Sequence, residues 1–247
     1  MILTVLVGNT NTRIAGVRGS RIARRRVVKS ESYLADTVRH ISGFAGVDAV
    51  ALAAVRPGSL RATRKAVATV YGLTVFNVDH GTKTGLKIRY SRKQLGADRI
   101  CAAVGARSRF PAEDIIVIDA GTAVTVNVVT ADGEFLGGAI LPGQSLMLSS
   151  LSRLPAGLPL APPAARNAIV QHATRQAVQT GVRNVFLGGL AHIVSVVQEE
   201  TDRRFGVVAT GGDAGLLRGR IADLRAIDAD LAARGLAVLC RMNRTAG

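Results

Sequence analysis

Tryptophan is absent from this 247-residue chain, and aromatic residues make up only 4% of it. A surface that stacks the bases of single-stranded nucleic acid needs such rings, so that function class is disfavoured. Cys101 and Cys240 are the only cysteines. Without C-x-x-C spacing they read as buried thiols of a reducing compartment, which places the chain in the cytoplasm. Four scattered histidines (His40, His80, His172, His192) lack zinc-ligand spacing. The longest apolar runs have strand length, short of the ~18 residues of a membrane span. No basic region followed by a long apolar stretch opens the chain, so we expect neither signal peptide nor membrane partner. Low-complexity segments and linkers between independent domains are also missing.

Acidic residues are scarce as well: 17 Asp and Glu stand against 32 Lys and Arg, a net charge of +15. The densest basic cluster is Arg21, Arg24, Arg25, Arg26 and Lys29, with Arg61, Arg64 and Lys65 further on. Such a charge attracts anionic ligands and gives nonspecific nucleic-acid contact at long range. No nucleic-acid motif accompanies it, so we read the arginines as solvated faces.

The chain is organised around Ile115 to Gly143. An apolar strand (Ile115–Ile118) runs into Asp119 and a tight Gly121-Thr122 turn. A β-branched strand (Val124–Val129) leaves it. Asp132-Gly133 signals a hairpin, because glycine tolerates the positive φ of a two-residue turn. A third strand ends in Gly137-Gly138. A carboxylate thus stands at a strand end beside a loop whose glycine lets backbone N–H groups approach an anion. The N-terminus repeats the arrangement, with strand Ile2–Val7, turn Gly8-Asn9-Thr10-Asn11-Thr12 and a returning strand. A third glycine element, Thr210-Gly211-Gly212-Asp213-Ala214, follows strand Phe205–Ala209 and suits an adenine or ribose against backbone.

Between these elements we expect strands at Thr12–Val17, Ile22–Val28, Val47–Val55 and Thr74–Val78. A helix is expected at Glu31–Ile41 with Ser30 as N-cap, and another from Ser59 to Tyr71. Asp79 to Lys93 reads as a surface excursion. A helix opening at Gln94 carries Asp98 and Arg99 in its first turn. There the dipole favours the aspartate, and the arginine suits a ligand carboxylate or a pair with Asp98. Gln144–Leu151 reads as a short helix and Leu154–Pro163 as a proline-rich loop. Ala164–Gly181 and Val182–Glu200 read as two helices, the second interrupted by Gly188-Gly189, and Ala232–Cys240 as the last. Strands alternating with helices after an opening meander indicate an α/β class.

Three glycine elements in this order resemble the acetate and sugar kinase, heat-shock cognate ATPase and actin superfamily. That resemblance implies a two-lobed ribonuclease H-like fold, with lobes at residues 1–110 and 111–247. More narrowly, the chain resembles type III pantothenate kinase, the Bvg accessory factor family. The matching pieces are Val7 to Thr12, Leu95-Gly96-Ala97-Asp98-Arg99-Ile100, Val117 to Thr125, Gly137 to Gly143, Thr174 to Gly181, Thr210 to Ala214 and Leu231 to Leu236. The resemblance implies ATP-dependent phosphorylation of the pantothenate hydroxyl, the first step toward coenzyme A, by a homodimer. Leu6, Val7, Gly8, Asn9, Thr10, Asn11, Thr12 and Arg13 would surround ATP phosphates, with Thr122, Gly211 and Gly212 also at the nucleotide. Tyr90, Gly96, Ala97, Asp98, Arg99 and Thr174 would hold pantothenate, with Asp98 as proton acceptor. Tyr90 stands one residue closer to Gly96 than the family spacing. Asp119 would bind a monovalent cation, K+ or NH4+, beside the Mg2+ that accompanies ATP.

One position departs. The family's Asp-x-Gly-Asn-Thr begins here with Leu6, and leucine ligates no metal. Metal-bridged charge neutralisation is a large part of phosphoryl-transfer catalysis. Asp119 would then carry the metal alone. The alternative reading is a catalytically weak or inactive protein of this fold with a ligand-binding or regulatory, even nucleic-acid-associated, role. A third is another sugar or acid kinase of the superfamily, which Gly96-Ala97-Asp98-Arg99 disfavours.

Overall fold

The structure is a computed structural model that describes residues 1–154, 157–159 and 169–244. The chain divides into two compact units. The first comprises Met1–Glu113, Asn127–Gly137 and Asp230–Gly247; the second comprises Asp114–Val126 and Gly138–Ala229.

In the first unit, β1 (Ile2–Val7), β2 (Asn11–Arg18) and β3 (Arg21–Lys29) form an antiparallel meander. β4 (Ala49–Ala54) pairs parallel with β1, and β5 (Val75–Asn77) with β4, giving the order β3-β2-β1-β4-β5. Strand alternation sends Leu3, Val5 and Val7 into one core, where they meet Ile14, Tyr33, Ile41, Phe44, Val50, Leu52 and Val67. Ile2, Thr4 and Leu6 therefore point to the opposite face of β1. The helices α4 (Ala97–Arg109) and α7 (Leu231–Arg244) pack against each other, and α7 also packs on β1. Two glycines permit that approach: a Cβ on Gly235 would lie 1.8 Å from the Cys101 carbonyl oxygen, and one on Gly105 2.2 Å from that of Leu231.

In the second unit, β7 (Ile115–Ala120) and β10 (Gly206–Thr210) run parallel, and β11 (Leu224–Ile227) extends them. β7 is Ile- and Val-rich and β10 wholly buried, as parallel strands covered on both faces must be. β8 (Ala123–Val129) is the returning strand of the second hairpin and β9 (Glu134–Pro142) follows it; their Asn127–Val129 and Glu134–Gly137 parts belong to the first unit, while in the second α5 (Gln144–Leu151) packs on α6 (Thr174–Thr201).

Several expectations change. The helix expected over 31–41 is two, α1 (Ser30–Ala35) and α2 (Thr37–Ile41). Asp36 leaves helical geometry at φ −144° and caps α2 by accepting from the Arg39 amide at 3.0 Å. Ser30 caps nothing; its side chain faces the first hairpin. The 79–93 excursion holds β6 (Lys87–Ile88), which pairs parallel with Glu134 and Phe135. β11 was not anticipated. α4 begins at Ala97 rather than Gln94. The two helices expected at 164–181 and 182–200 are one 28-residue helix, α6, starting at Thr174; residues 169–173 are not helical. The rest of the first of these helices and most of the proline-rich loop lie outside the described residues. By length and composition α6 is apolar enough to cross a membrane. Yet it buries Phe186, Leu187, Leu190 and Val194, together with the charged Arg183.

Candidate active site

The first hairpin is braced from outside. Its Gly8 amide donates to the Asn11 carbonyl at 3.1 Å, and a Cβ on Gly8 would meet that oxygen at 2.9 Å. The Ser30 hydroxyl donates to the Gly8 carbonyl at 2.8 Å, and the Ser30 amide donates to the Thr10 carbonyl at 2.9 Å. With its single proton so committed, Ser30 accepts from the Thr12 hydroxyl at 3.0 Å. Thr12, Val7 and Leu6 are buried, Arg13 is half-buried opposite Leu6, and Asn9 to Asn11 are exposed. Arg56, just past β4, donates to the Asn9 carbonyl at 3.3 Å.

Also in the first unit, the helix α4 presents Gly96, Ala97, Asp98 and Arg99 at its start. Gly96 is its N-cap, and a Cβ there would fall 2.5 Å from an Asp98 carboxylate oxygen. Only glycine leaves room for that carboxylate to turn back and accept the Arg99 amide at 2.9 Å. Arg99 is 4% exposed. Its Nε donates to the Asn127 Oδ1 at 2.6 Å. Its guanidinium carbon stands 5.2 Å from the Tyr90 ring centre and 5.6 Å from that of Phe135. Those two rings meet edge-on. Tyr90 packs over Gly137, whose φ of +127° and open α-carbon favour glycine. Arg99 Nη2 is buried without a hydrogen-bond partner. A buried guanidinium with a donor unsatisfied demands an acceptor, and a carboxylate answers both charge and geometry. Asn127 and Phe135 were not foreseen, because neither neighbours α4 in sequence.

The second unit gathers a different set. The carboxylate of Asp119 lies beside Gly211, where a Cβ would be 2.6 Å from Asp119 Oδ1 and 2.4 Å from the Ala120 carbonyl oxygen; the φ of Gly211 is +97°. Gly143 presses on the turn just as closely, with a Cβ position 2.0 Å from the Gly121 carbonyl oxygen. Its amide donates to the Thr122 carbonyl at 2.9 Å. The Asp213 amide donates to the Ala120 carbonyl at 2.9 Å, and burial pushes the Asp213 carboxyl up from its ordinary value. Thr210 pairs in register with Asp119, and its hydroxyl is buried without a partner. Asp119, Gly121, Thr122, Gly143, Gly211 and Asp213 thus form one oxygen-rich patch around strand ends. Thr174, the exposed first residue of α6, belongs to this unit; Tyr90, Asp98 and Arg99 belong to the other.

The sequence profile of type III pantothenate kinase matches residues 2–196. The chain belongs to the type III pantothenate kinase family. It is similar to the type III pantothenate kinase of Caulobacter vibrioides, at 32% identity over 260 residues, covering 100% of this chain and 99% of the relative. The Anaeromyxobacter sp. (strain K) relative of the same name is 33% identical over 256 residues, covering 99% of this chain and all of that one. Among solved structures, a putative Baf family transcriptional activator from Campylobacter jejuni superposes with a TM-score of 0.62 at 21% identity, covering 98% and 99% of the two chains. A putative 2-dehydro-3-deoxygalactonokinase from Sinorhizobium meliloti gives 0.60 at 16% identity, with the same coverage. At such identities these show the fold alone. As a family member the chain is a kinase-class enzyme that uses ATP.

The basic cluster fits solvated faces. Arg24 donates to the Gly43 carbonyl, Arg26 to those of Arg39 and His40, and Arg25 pairs with Asp230 at 3.5 Å. Both cysteines are buried free thiols pushed above their ordinary pKa by desolvation.

Proposed function

We propose that this chain phosphorylates pantothenate to 4′-phosphopantothenate with ATP, the first step of coenzyme A biosynthesis, in the cytoplasm and as a homodimer. The observation that carries the reading is the buried, unsatisfied Nη2 of Arg99 beside Asp98. Arg99 takes the substrate carboxylate, its guanidinium lying against the Tyr90 and Phe135 rings and held by Asn127. Asp98 then accepts the proton of the substrate hydroxyl late in the transfer. Phosphoryl transfer asks the protein chiefly for in-line positioning and charge neutralisation. Gly8 to Asn11 and Thr122, Gly211 and Gly212 serve the nucleotide, while Thr174 contacts pantothenate.

For a K+ or NH4+ ion and the Mg2+ of ATP, the donor set of the second unit is the suitable one. It offers hard oxygens: the Asp119 carboxylate, the cradle at Gly211 that any Cβ would fill, and the orphan Thr210 hydroxyl. Among the described residues no group of three acidic, His or Cys side chains gathers around a metal position, so Asp119 is the main ligand we assign. A bound cation supplies neutralisation of phosphate charge. Exposed surface on α6 supports the homodimer reading: Val185 is 66% exposed and the space over Gly181, Gly188 and Gly189 is open. Nucleic acid enters only as nonspecific electrostatic contact.

Coupled ADP release with pantothenate, MgATP and K+ tests the reading on wild type and Leu6→Asp side by side. Wild-type turnover establishes the kinase. Turnover only in Leu6→Asp identifies a silenced enzyme, the second reading that Leu6 favours; silence in both moves the assignment to a ligand-binding or regulatory role. Asp98→Asn should lower kcat by about 100- to 10,000-fold with ATP binding unchanged. Undiminished turnover would overturn the role of Asp98.

A further inference from the structure

The first hairpin lacks a carboxylate, and beside it stands a cation no motif announced. Val55 donates its amide to the Val7 carbonyl at 3.0 Å, which carries the chain after β4 alongside the hairpin. Arg56 follows and donates one Nη1 hydrogen to the Asn9 carbonyl at 3.3 Å. No carboxylate pairs with Arg56 among the described residues, and a guanidinium bonded once keeps four further donors. Gly58, at φ +78°, then turns the chain into α3 (Ser59–Tyr71), a 13-residue helix. No acidic residue stands in its first turn and no side chain caps it. Its first-turn amides and dipole present positive charge that nothing in the helix offsets. Ser59, at its start, is wholly buried, and its hydroxyl has no partner.

We propose that Arg56 and the N-terminal turn of α3, with Ser59, form an anion subsite beside the Gly8–Asn11 loop for the terminal phosphates of a nucleoside triphosphate. The ligand's identity rests on the kinase reading; the subsite itself rests on this geometry. An arginine fixed at the loop neutralises phosphate without a metal. A hydrophobic residue at position 6 removes the carboxylate that would otherwise repel unmetallated phosphate there. Binding of polyphosphate to this hairpin is therefore metal-independent.

The test is calorimetric titration of inorganic tripolyphosphate, and separately ATP, in EDTA at physiological salt. Wild type, Arg56→Gln, Ser59→Ala and Arg25→Gln are compared. Arg56→Gln should weaken tripolyphosphate about 10-fold or more, the scale of a lost charge-assisted hydrogen bond. Ser59→Ala should weaken it several-fold while its melting temperature stays level or rises, because an unsatisfied buried hydroxyl is removed. That split separates a ligand role from a structural one. Arg25→Gln, in the basic cluster on β3, should change nothing. The proposal is overturned if wild type does not bind tripolyphosphate, if Arg56→Gln binds as wild type does, or if Arg25→Gln loses as much. Loss of pantothenate-dependent ADP release with Arg56-dependent tripolyphosphate binding intact would sink the kinase reading and leave the subsite standing.

Discussion

The two hairpins are built alike and equipped differently. β1 and β7 are both six-residue apolar strands, and each is followed at once by a glycine, Gly8 or Gly121. Leu6 and Asp119 hold the same place, the penultimate residue of the strand. Their parallel neighbours repeat the contrast: Leu6 faces Ala53 of β4, whereas Asp119 faces Thr210 of β10. One backbone plan thus serves an apolar strand end and an oxygen-rich one. On the proposed function both hairpins serve the nucleotide, and the side chain before the glycine decides whether a cation comes with it. In the first hairpin positive charge arrives from Arg56 instead.

The most damaging way to break the contrast is Asp119→Leu, which gives the second hairpin the equipment of the first. We expect kcat to fall by about 100- to 1,000-fold, the scale for losing a preorganised electrostatic group. The K+ dependence of whatever rate is left should vanish with it. Retained K+ activation in that variant would move the cation away from Asp119.

A second way probes the glycines. At Gly143 an added Cβ meets two backbone carbonyl oxygens, at 2.0 and 2.8 Å, and backbone cannot swing aside. At Gly8 it meets one, at 2.9 Å. Gly143→Ala should cost about 3 kcal/mol in urea unfolding and Gly8→Ala about 1 kcal/mol. Equal costs would mean that the second hairpin is no more tightly clamped than the first.

The contrast was half legible in the sequence. Both hairpins, the glycine element at Gly211 and the Asp98-Arg99 helix start were readable, because each is written in adjacent residues. The glycine clamps were not: Gly143 meets Gly121, and Gly211 meets Asp119, across long stretches of chain. The Arg99 cage was hidden for the same reason, since Tyr90, Phe135 and Asn127 come from the segment before α4, from β9 and from β8 respectively. Local signals also misled where tertiary demand was stronger. Ser30 looked like a helix cap, but the hairpin claims its hydroxyl. Gly181 and Gly188-Gly189 looked like breaks. α6 runs through them because packing through Phe186, Leu190 and Val194 outweighs a glycine's cost of about 1 kcal/mol. Arg56 passed unnoticed because nothing around it forms a motif.

The smallest expected effect separates the units by pH. All three tyrosines, Tyr33, Tyr71 and Tyr90, lie in the first unit and none in the second. Tyr33 is wholly buried; desolvation pushes its phenol up to about 12, against the opposing hydrogen bond of 2.8 Å to the Thr63 hydroxyl. Burial raises Tyr71 as well. A folded pKa above the unfolded value near 10 means that the folded state keeps the proton longer. The stabilisation is therefore complete below about pH 10 and is lost as pH climbs to about 12, at most about 2–3 kcal/mol for Tyr33. Urea midpoints measured across that window should fall for wild type and fall less for Tyr33→Phe, which has no proton to lose. The same substitution should cost about 1 kcal/mol at neutral pH, where the Thr63 hydroxyl loses its partner. Parallel alkaline slopes in the two proteins would show that the first unit does not owe its alkaline sensitivity to Tyr33.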